Sequence, residues 1–253
     1  MNASEINVPD ALPLMGVKVT PFRDYGHAIE AVSGVLGSGS KVFSAAINPE
    51  KIYRASYDSS VRELLNRAEI CICDGIGAAL AVRALYGHQI GRITGVALFF
   101  ELIRAAEKRQ WKVFLLGAAP DVNEDAVSKL KQDYPLLQIV GRQDGYFNDS
   151  ESVVDLINAS GADLLFVAMG SPKQEVWITE HREKINAPFC MGVGGTFDVV
   201  CGKVEWAPAF YRKTGTEWLY RLVKEPSRWR RQLALPKFVW LLMRYKMGLI
   251  KDF

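Results

Sequence analysis

The feature that most constrains the fold is an alternation of short apolar runs with longer amphipathic stretches. Several runs are apolar throughout, which is typical of parallel strands covered on both faces. Strands are predicted at residues 16–20, 41–47, 69–73, 112–116, 138–140, 163–168 and 189–193. Helices are predicted at residues 27–36, 59–68, 75–86, 97–109, 122–133, 151–158 and 173–184. This alternation predicts an α/β fold whose mainly parallel sheet carries helices on both faces.

The C-terminal part of the chain differs in character from the rest. Residues 211–251 hold eleven Lys or Arg and two Glu, a local net charge of +9 in a chain whose net charge is +3. We therefore predict two regions, a catalytic core over 1–205 and a basic helical appendage over 206–253, with helices broken at Pro226 and Pro236. A basic segment of this kind attracts phosphates, acidic lipids or nucleic acid, although a solvated basic face is the simpler interpretation.

The sequence predicts a cytoplasmic protein without a membrane span. It is 49% hydrophobic and 23% charged, as is ordinary for a soluble globular chain. Its longest apolar stretches, such as 96–100 and 238–243, are far shorter than the roughly 18 to 20 residues that a spanning helix needs. The N-terminus carries Glu5 and Asp10 and lacks the basic-then-apolar pattern of a signal peptide.

Several familiar metal and cofactor motifs are missing from the sequence. There is no Asp-x-Asp pair of the kind that holds Mg²⁺ on a nucleotide sugar, and Phe197 stands where a dinucleotide fingerprint needs its third Gly. The spacing of the cysteines matches no zinc site, so buried reduced thiols are expected at Cys71, Cys73, Cys190 and Cys201. We therefore expect neither a metal nor a cofactor.

Polar residues follow two of the predicted strands. Asp74 comes directly after the apolar run 70–73, and Asn48 follows the run 41–47. Both positions lie at the carboxyl edge of a parallel sheet, where ligands of such folds bind. There Asp74 can take a proton from a hydroxyl group and Asn48 can bind sugar hydroxyls. Each residue also has a structural interpretation as a helix cap, and Pro49 is a favourable first helical residue.

Glycine-rich turns follow three further predicted strands. They begin at Gly117, at Gly170 and at Gly192, and the last of them includes Gly194. Small residues at such turns let backbone N–H groups and helix N-termini approach a diphosphate. We predict a nucleotide site that uses Gly117 and Gly194, with ordinary tight turns as the alternative.

At these motifs the sequence resembles the WecG/TagA/CpsF glycosyltransferase family. The resemblance covers nearly the whole chain, from about residue 14 to residue 240. Its motifs are Asn48, Asp74-Gly75, Arg92, Gly95, Gly117, 145–147, 170–175, 192–198, Ala207-Pro208, 217–222 and 225–228. The resemblance implies a Rossmann-like core, metal-independent catalysis and inversion of the anomeric centre.

The resemblance also implies roles for particular residues. Asp74 matches the proposed catalytic base of the family, and Arg92 and Gln174 match residues of the donor pocket. The family's appendage arginines, which are thought to close over the site at the membrane, match Arg221, Arg228 and Arg231. Arginine suits this task because its guanidinium group binds phosphate in a bidentate fashion.

The substrates implied by the resemblance are a UDP-sugar and a lipid diphosphate. The acceptor is undecaprenyl-diphosphate N-acetylglucosamine, and the donor is UDP-N-acetylmannosaminuronic acid or UDP-N-acetylmannosamine. The run 46–48 resembles the enterobacterial common antigen branch, whereas 234–239 is more similar to the teichoic acid branch. Trp206 and Thr216 depart from both branches, where Arg and Leu are usual, so the donor stays open.

The remaining predictions concern the location of the protein, its partners and its alternative functions. We expect a protein that lies peripherally on the inner face of the cell membrane, binds anionic lipid and no nucleic acid, and is compatible with a homo-oligomer. A member of the same family that uses UDP-glucose or UDP-glucuronic acid is the nearest alternative. A nucleotide-cofactor oxidoreductase shares the fold class, and a nucleic-acid-binding protein would use the Trp and Arg residues of the tail.

Overall fold

The computed structural model describes residues 8–250, apart from the side chain of Arg228. Its centre is a six-stranded sheet in which every pairing is parallel, with the spatial order β4-β3-β8-β7-β5-β6. The strands of this sheet are β3 (Val42–Ile47), β4 (Ile70–Cys73), β5 (Lys112–Gly117), β6 (Gln138–Gln143), β7 (Leu164–Ala168) and β8 (Phe189–Gly192). The predicted parallel, Rossmann-like sheet is therefore confirmed.

Helices follow the strands and cover the sheet. Those of the first 205 residues are α1 (Tyr25–Ser38), α2 (Pro49–Ala55), α3 (Ser59–Asn66), α4 (Ile76–Tyr86), α5 (Gly95–Arg109), α6 (Pro120–Asp133), α7 (Ser150–Ser160), α8 (Lys173–His181) and α9 (Thr196–Val200). The C-terminal helices are α10 (Ala209–Thr214), α11 (Glu217–Lys224), α12 (Trp229–Gln232) and α13 (Ala234–Lys246), with a 3-10 turn at Pro226–Arg228. The predicted helix positions are confirmed to within a few residues.

The two faces of the sheet carry separate hydrophobic clusters. Alternate side chains of each strand point to opposite faces. In β4, for example, Cys71 packs with the cluster under α2, α3 and α4, whereas Ile72 packs with the cluster under α1 and α5. Both faces are thus buried, which explains why these strands are apolar throughout.

The predicted strand at 16–20 is real but lies outside the parallel sheet. It forms β2 (Val17–Val19), which pairs antiparallel with β1 (Leu12–Leu14), a strand that was not predicted. The two are joined by Met15 and Gly16, whose φ angles are 48° and 85°. Two consecutive positive φ angles are typical of the tight turn that closes a hairpin.

The C-terminal helices correct one detail of the prediction. The helical path is interrupted at Pro226 as expected, but Pro236 lies within the first turn of α13 and does not break it. Proline is tolerated there because the first-turn N–H groups have no partner within the helix. Helix α13 packs against α2 and α4, and its Phe238 and Leu241 are buried in the core. No helix within residues 8–250 is long and apolar enough to cross a membrane.

Candidate active site

A cleft of about 600 Å³ lies at the carboxyl ends of β3, β4, β7 and β8. Its floor is formed by the residues that follow these strands, and residues of α11, α12 and α13 form its opposite wall. Of the predicted site residues, those that line the cleft are Asn48, Asp74, Arg92, Gln174, Gly194, Arg221 and Arg231. The structure thus brings most of them together from segments that are distant in sequence.

Asn48 and Asp74 are neighbours on the cleft floor. Parallel pairing of β3 with β4 places Ile47 opposite Cys73, so the next residue of each strand emerges at the same level. The Asn48 side chain accepts a hydrogen bond from the backbone N–H of Lys51, 2.9 Å away, and so caps α2. Its predicted cap role is therefore confirmed, and Asn48 also lines the cleft.

Asp74 is partly buried and does not cap the helix that follows it. The N-cap of α4 is Gly75, and no side chain caps that helix. The Asp74 carboxylate instead accepts a hydrogen bond from the backbone N–H of Gly95, the first residue of α5. Burial is the largest influence on this carboxyl and raises its pKa above the ordinary Asp value, and the positive charge of Arg221 is the largest opposing influence. A raised pKa is what a general base near neutral pH requires.

Gln174 closes the side of the cleft beside β8. Its side-chain oxygen accepts a hydrogen bond from the backbone N–H of Gly194 at 2.9 Å. The amide packs directly over Gly192, where an added Cβ would lie 2.5 Å from the Gln174 nitrogen. Glycine at 192 is therefore required for this contact, and Gln174 holds the turn that contains Gly194 in place.

A largely buried ion pair in the wall of the cleft was not predicted from the sequence. Lys51 Nζ lies 2.8 Å from Glu175 Oε1, and the Glu175 side chain is only 1% exposed. The same ammonium donates to the backbone oxygen of Ala46, and Glu175 Oε1 also accepts from Gln174. The pair therefore ties α2, the end of β3 and α8 together at the wall that also contains Asn48.

Three residues of the C-terminal helices contact the core at the cleft. Glu217 lies 3.4 Å from Arg92, and Arg231 lies 3.1 Å from Glu50. Burial raises the pKa of Glu217, against the opposing charge of Arg92. Together with Arg221, whose charge acts on Asp74, these contacts place cations of both regions around one cavity.

Of the predicted substrate-binding residues, Gly117 does not line the cleft, and Arg228 cannot be compared with it. Gly117 ends β5 beside β7 and does not line the cavity; its φ is +110°, and a Cβ there would lie 2.5 Å from the backbone oxygen of Ala168. Close backbone packing accounts for glycine at this position. The other residue, Arg228, ends the 3-10 turn between α11 and α12, and its side chain lies outside the described part of the structure.

Neither metal-ligand clusters nor disulfides occur in the described part of the chain. No group of three or more His, Cys, Asp or Glu side chains within residues 8–250 is arranged to hold a metal ion. The four cysteines are free, but Cys201 is only partly buried, contrary to the expectation of four buried thiols. Burial raises the thiol pKa of Cys71 and Cys73 to about 12 and that of Cys190 to about 11. Thiols with such pKa values stay protonated and behave as small apolar groups.

Comparison with known families decides the identity of the chain. The model of the glycosyl transferase WecG/TagA/CpsF family matches residues 12–252, nearly the whole sequence. The chain belongs to this family. As a WecG/TagA/CpsF glycosyltransferase it transfers a sugar from a donor to an acceptor, and the family implies in general that the acceptor is linked to a lipid.

The two departures from the usual WecG/TagA/CpsF pattern lie outside the cleft wall. Trp206 stacks on Phe100, with ring centroids 4.8 Å apart, and the Arg212 guanidinium lies 4.2 Å from the Trp206 ring. Thr216 precedes the first residue of α11, and its hydroxyl lies 2.7 Å from that of Thr214. Both changes are thus accommodated by local packing at the base of the C-terminal helices.

Proposed function

We propose that this protein is an inverting, metal-independent glycosyltransferase. It moves an N-acetylmannosamine-type sugar, N-acetylmannosaminuronic acid or N-acetylmannosamine, from its UDP donor to undecaprenyl-diphosphate N-acetylglucosamine. The observation that carries the proposal is the partly buried carboxyl of Asp74 on the floor of a cleft whose walls supply Arg92, Arg221 and Arg231. The other carboxyls that line the cleft are each held in an ion pair, and they are Glu50, Glu175 and Glu217. One base and several cations suit the attack of a hydroxyl group on a diphosphate-activated sugar.

The proposed reaction is a single displacement. Asp74 removes the proton of the acceptor hydroxyl while the hydroxyl oxygen forms a bond to C1 of the donor sugar. The bond from C1 to the diphosphate breaks on the opposite face, so UDP leaves with the electron pair and the anomeric configuration inverts. Charge that develops on the leaving diphosphate is stabilised by the arginines of the cleft, and the small residue Gly194 lets the diphosphate lie close to the turn.

We propose that cations of the C-terminal helices replace the metal of other nucleotide-sugar transferases. Arg221 and Arg231 line the cleft from its outer wall and face the residues that follow β3 and β4. A guanidinium group presents paired N–H donors that match phosphate oxygens. Closure of these helices over the donor therefore adds positive charge to that of Arg92 and Lys51 in the core.

The region 206–253 is also proposed to hold the protein at the inner face of the membrane. Trp229, Trp240 and Met247 are more than half exposed, and Arg244 lies over the Trp240 ring with its guanidinium 4.5 Å from the ring centroid. Exposed aromatic residues next to cations are typical of surfaces that rest in the headgroup layer. Each Lys or Arg near an anionic leaflet contributes about 1 kcal/mol to such binding.

The rival functions are less well supported. An oxidoreductase would need its cofactor diphosphate against a glycine at 197, but Phe197 is fully buried in the core and its helix begins one residue earlier. The arginines that a nucleic-acid-binding protein would present include Arg221 and Arg231, which line the cleft. Within the family, UDP-glucose and UDP-glucuronic acid remain alternative donors.

Replacement of Arg221 by Ala is expected to lower transfer far more than membrane binding. Loss of one donor to the leaving diphosphate typically reduces turnover by about 10²-fold, whereas membrane attraction is shared among many cations of the tail. The matched control is Arg244→Ala, which removes one positive charge from the same region but outside the cleft. UDP release and liposome co-sedimentation are measured on both variants; an equal loss of transfer in the two would contradict a role for Arg221 at the diphosphate.

The function itself is tested by UDP release from a panel of UDP-sugars. Purified protein is incubated with each donor and with a short-chain lipid-diphosphate N-acetylglucosamine, both with and without EDTA. We expect release that depends on the acceptor, is fastest with an N-acetylmannosamine-type donor and is unaffected by the chelator. Activity that EDTA abolishes and Mg²⁺ restores would overturn metal independence, and a preference for UDP-glucose or UDP-glucuronic acid would replace the proposed donor.

A further inference from the structure

The side-chain amide of Gln174 lies between two partners that fix its orientation. Its Oε1 accepts a hydrogen bond from the backbone N–H of Gly194 at 2.9 Å, and its Nε2 donates to Glu175 Oε1 at 3.1 Å. A backbone N–H can only donate and a carboxylate can only accept, so both partners select the same orientation of the amide. Gln174 is buried yet lines the cleft, and this orientation therefore decides which atoms it presents there.

The hydrogen bonds of Glu175 do not by themselves account for a glutamate at this position. Glu175 Oε1 takes the donors of both Gln174 and Lys51, whereas Oε2 has no hydrogen-bond partner among the described residues. A glutamine at 175 would offer one oxygen to the same two donors. What a carboxylate adds is a negative charge and the inability to donate, and the second property is what fixes the neighbouring amide.

The fixed orientation leaves Gln174 with one donor to spare. A glutamine amide nitrogen carries two hydrogens, and Glu175 accepts one of them. The other hydrogen is the donor that Gln174 can offer to an oxygen of a ligand in the cleft. A reversed amide would present its carbonyl oxygen instead, which repels an anionic diphosphate.

We propose that Glu175 is a positioning residue for the nucleotide diphosphate of the donor. It acts through Gln174: by accepting from Nε2 it keeps an N–H of that amide available to the diphosphate, and it keeps the amide oxygen on the turn at Gly194. The Glu175 side chain is only 1% exposed and does not touch the ligand itself. This inference rests on the proposed function, and it adds a residue that prepares the donor pocket from behind its wall.

The competing account is that Glu175 only braces α2 against α8 through its ion pair with Lys51. Both accounts predict a less stable protein when the carboxylate is lost, because the pair is largely buried. They differ in the affinity of the folded protein for UDP. A brace leaves that affinity unchanged, whereas a positioning residue lowers it only as long as Gln174 is present.

The test is a double-mutant cycle in which UDP binding to the full chain is measured by titration calorimetry. Glu175→Gln keeps the shape of the side chain but permits either orientation of the Gln174 amide. We expect its Kd for UDP to rise about tenfold, as for one lost hydrogen bond to a charged group. Gln174→Ala should raise the Kd at least as much, and Glu175→Gln added to it should change nothing further. The matched control is Glu180→Gln, the same change at an exposed position of α8, which should keep the wild-type Kd.

Two further measurements support the cycle. In UDP-release assays the KM for the donor should rise with the Kd while kcat changes less than about threefold, because the contact is made before and during transfer. If Glu175→Gln does not fold, the comparison moves to a background without the lysine. Lys51→Met keeps the carboxylate and Lys51→Met/Glu175→Gln lacks it, so the same rise of about tenfold should separate their Kd values.

Several outcomes would overturn the proposal. An unchanged Kd for UDP in a folded but less stable Glu175→Gln variant would show that the residue is a brace. Additive losses in the double variant would show that Glu175 acts independently of Gln174. A wild-type protein that does not bind UDP would sink this inference together with the proposed function. The predicted cycle in a protein that transfers no sugar would leave the role of Glu175 in place and would sink only the proposed reaction.

Discussion

Asp74→Asn is expected to lower turnover by about 10² to 10⁴, the usual contribution of a general base. The substitution keeps the shape of the side chain and an oxygen that can accept from the Gly95 N–H. It removes the group that takes the proton of the acceptor hydroxyl. Donor binding should persist, since the donor diphosphate is proposed to contact Arg221 and the turn at Gly194. Turnover is measured by UDP release at saturating substrates, and donor binding by calorimetry with UDP.

The matched control for this variant is Asp155→Asn. Asp155 is an exposed residue of α7, so the same chemical change there removes one carboxylate without touching the cleft. We expect it to retain wild-type turnover. A folded Asp74→Asn variant that turns over as fast as Asp155→Asn would show that Asp74 serves only to hold the N-terminus of α5.

Lys51→Met is expected to lower the free energy of unfolding by about 3 to 5 kcal/mol. The substitution leaves the Glu175 carboxylate buried without its cation, and a lone buried charge is strongly destabilising. The matched control, Lys129→Met, breaks an exposed pair with Asp133 and should cost no more than about 1 kcal/mol. Both values are obtained from urea unfolding followed by circular dichroism.

A double variant separates the lost charge from lost packing. In Lys51→Met combined with Glu175→Gln no buried charge remains, so we expect much of the stability to return. Equal destabilisation by Lys51→Met and Lys129→Met would contradict the structural role of the buried pair. A double variant no more stable than Lys51→Met would instead locate the effect in packing around the lysine stem.

The fold was largely predictable because its strands are buried on both faces. Runs such as Val42–Ile47 and Leu164–Ala168 are apolar at almost every position, so their limits are clear in the sequence. The hairpin strand Leu12–Leu14 was missed because it has only three residues and contains a proline. Pro236 was misjudged because the start of α13 lies just before it and cannot be recognised from a capping residue.

The candidate site was only partly predictable because local sequence patterns do not show which strands are neighbours in the sheet. Asn48 and Asp74 follow strands that pair directly, so the prediction that both lie at the carboxyl edge of the sheet was correct. The turn at Gly117 has the same local pattern, but its strand lies on the far side of β7 from the cleft. The Lys51–Glu175 pair joins residues 124 positions apart, and no local spacing indicates such a contact.

Truncation is a poor test of the C-terminal region for a physical reason. Phe238 and Leu241 of α13 are buried in the same hydrophobic cluster as α2 and α4. Removal of residues after Thr214 would expose that cluster as well as delete the cations. Point variants such as Arg221→Ala separate the two effects, because Arg221 is not part of the core.

The most direct test of the central claim is the pH dependence of kcat/KM for acceptor-dependent UDP release. Asp74 acts only when deprotonated, and burial raises its pKa, so activity should fall on the acid side at a pH above the ordinary titration range of Asp. Arg221 lowers the pKa of Asp74, so the acid limb should move to higher pH in Arg221→Ala. In Arg231→Ala, which removes another cation of the cleft wall, the acid limb should stay at the wild-type pH. An acid limb at the same pH in all three proteins would contradict the claim that Asp74, held beside Arg221, is the catalytic base.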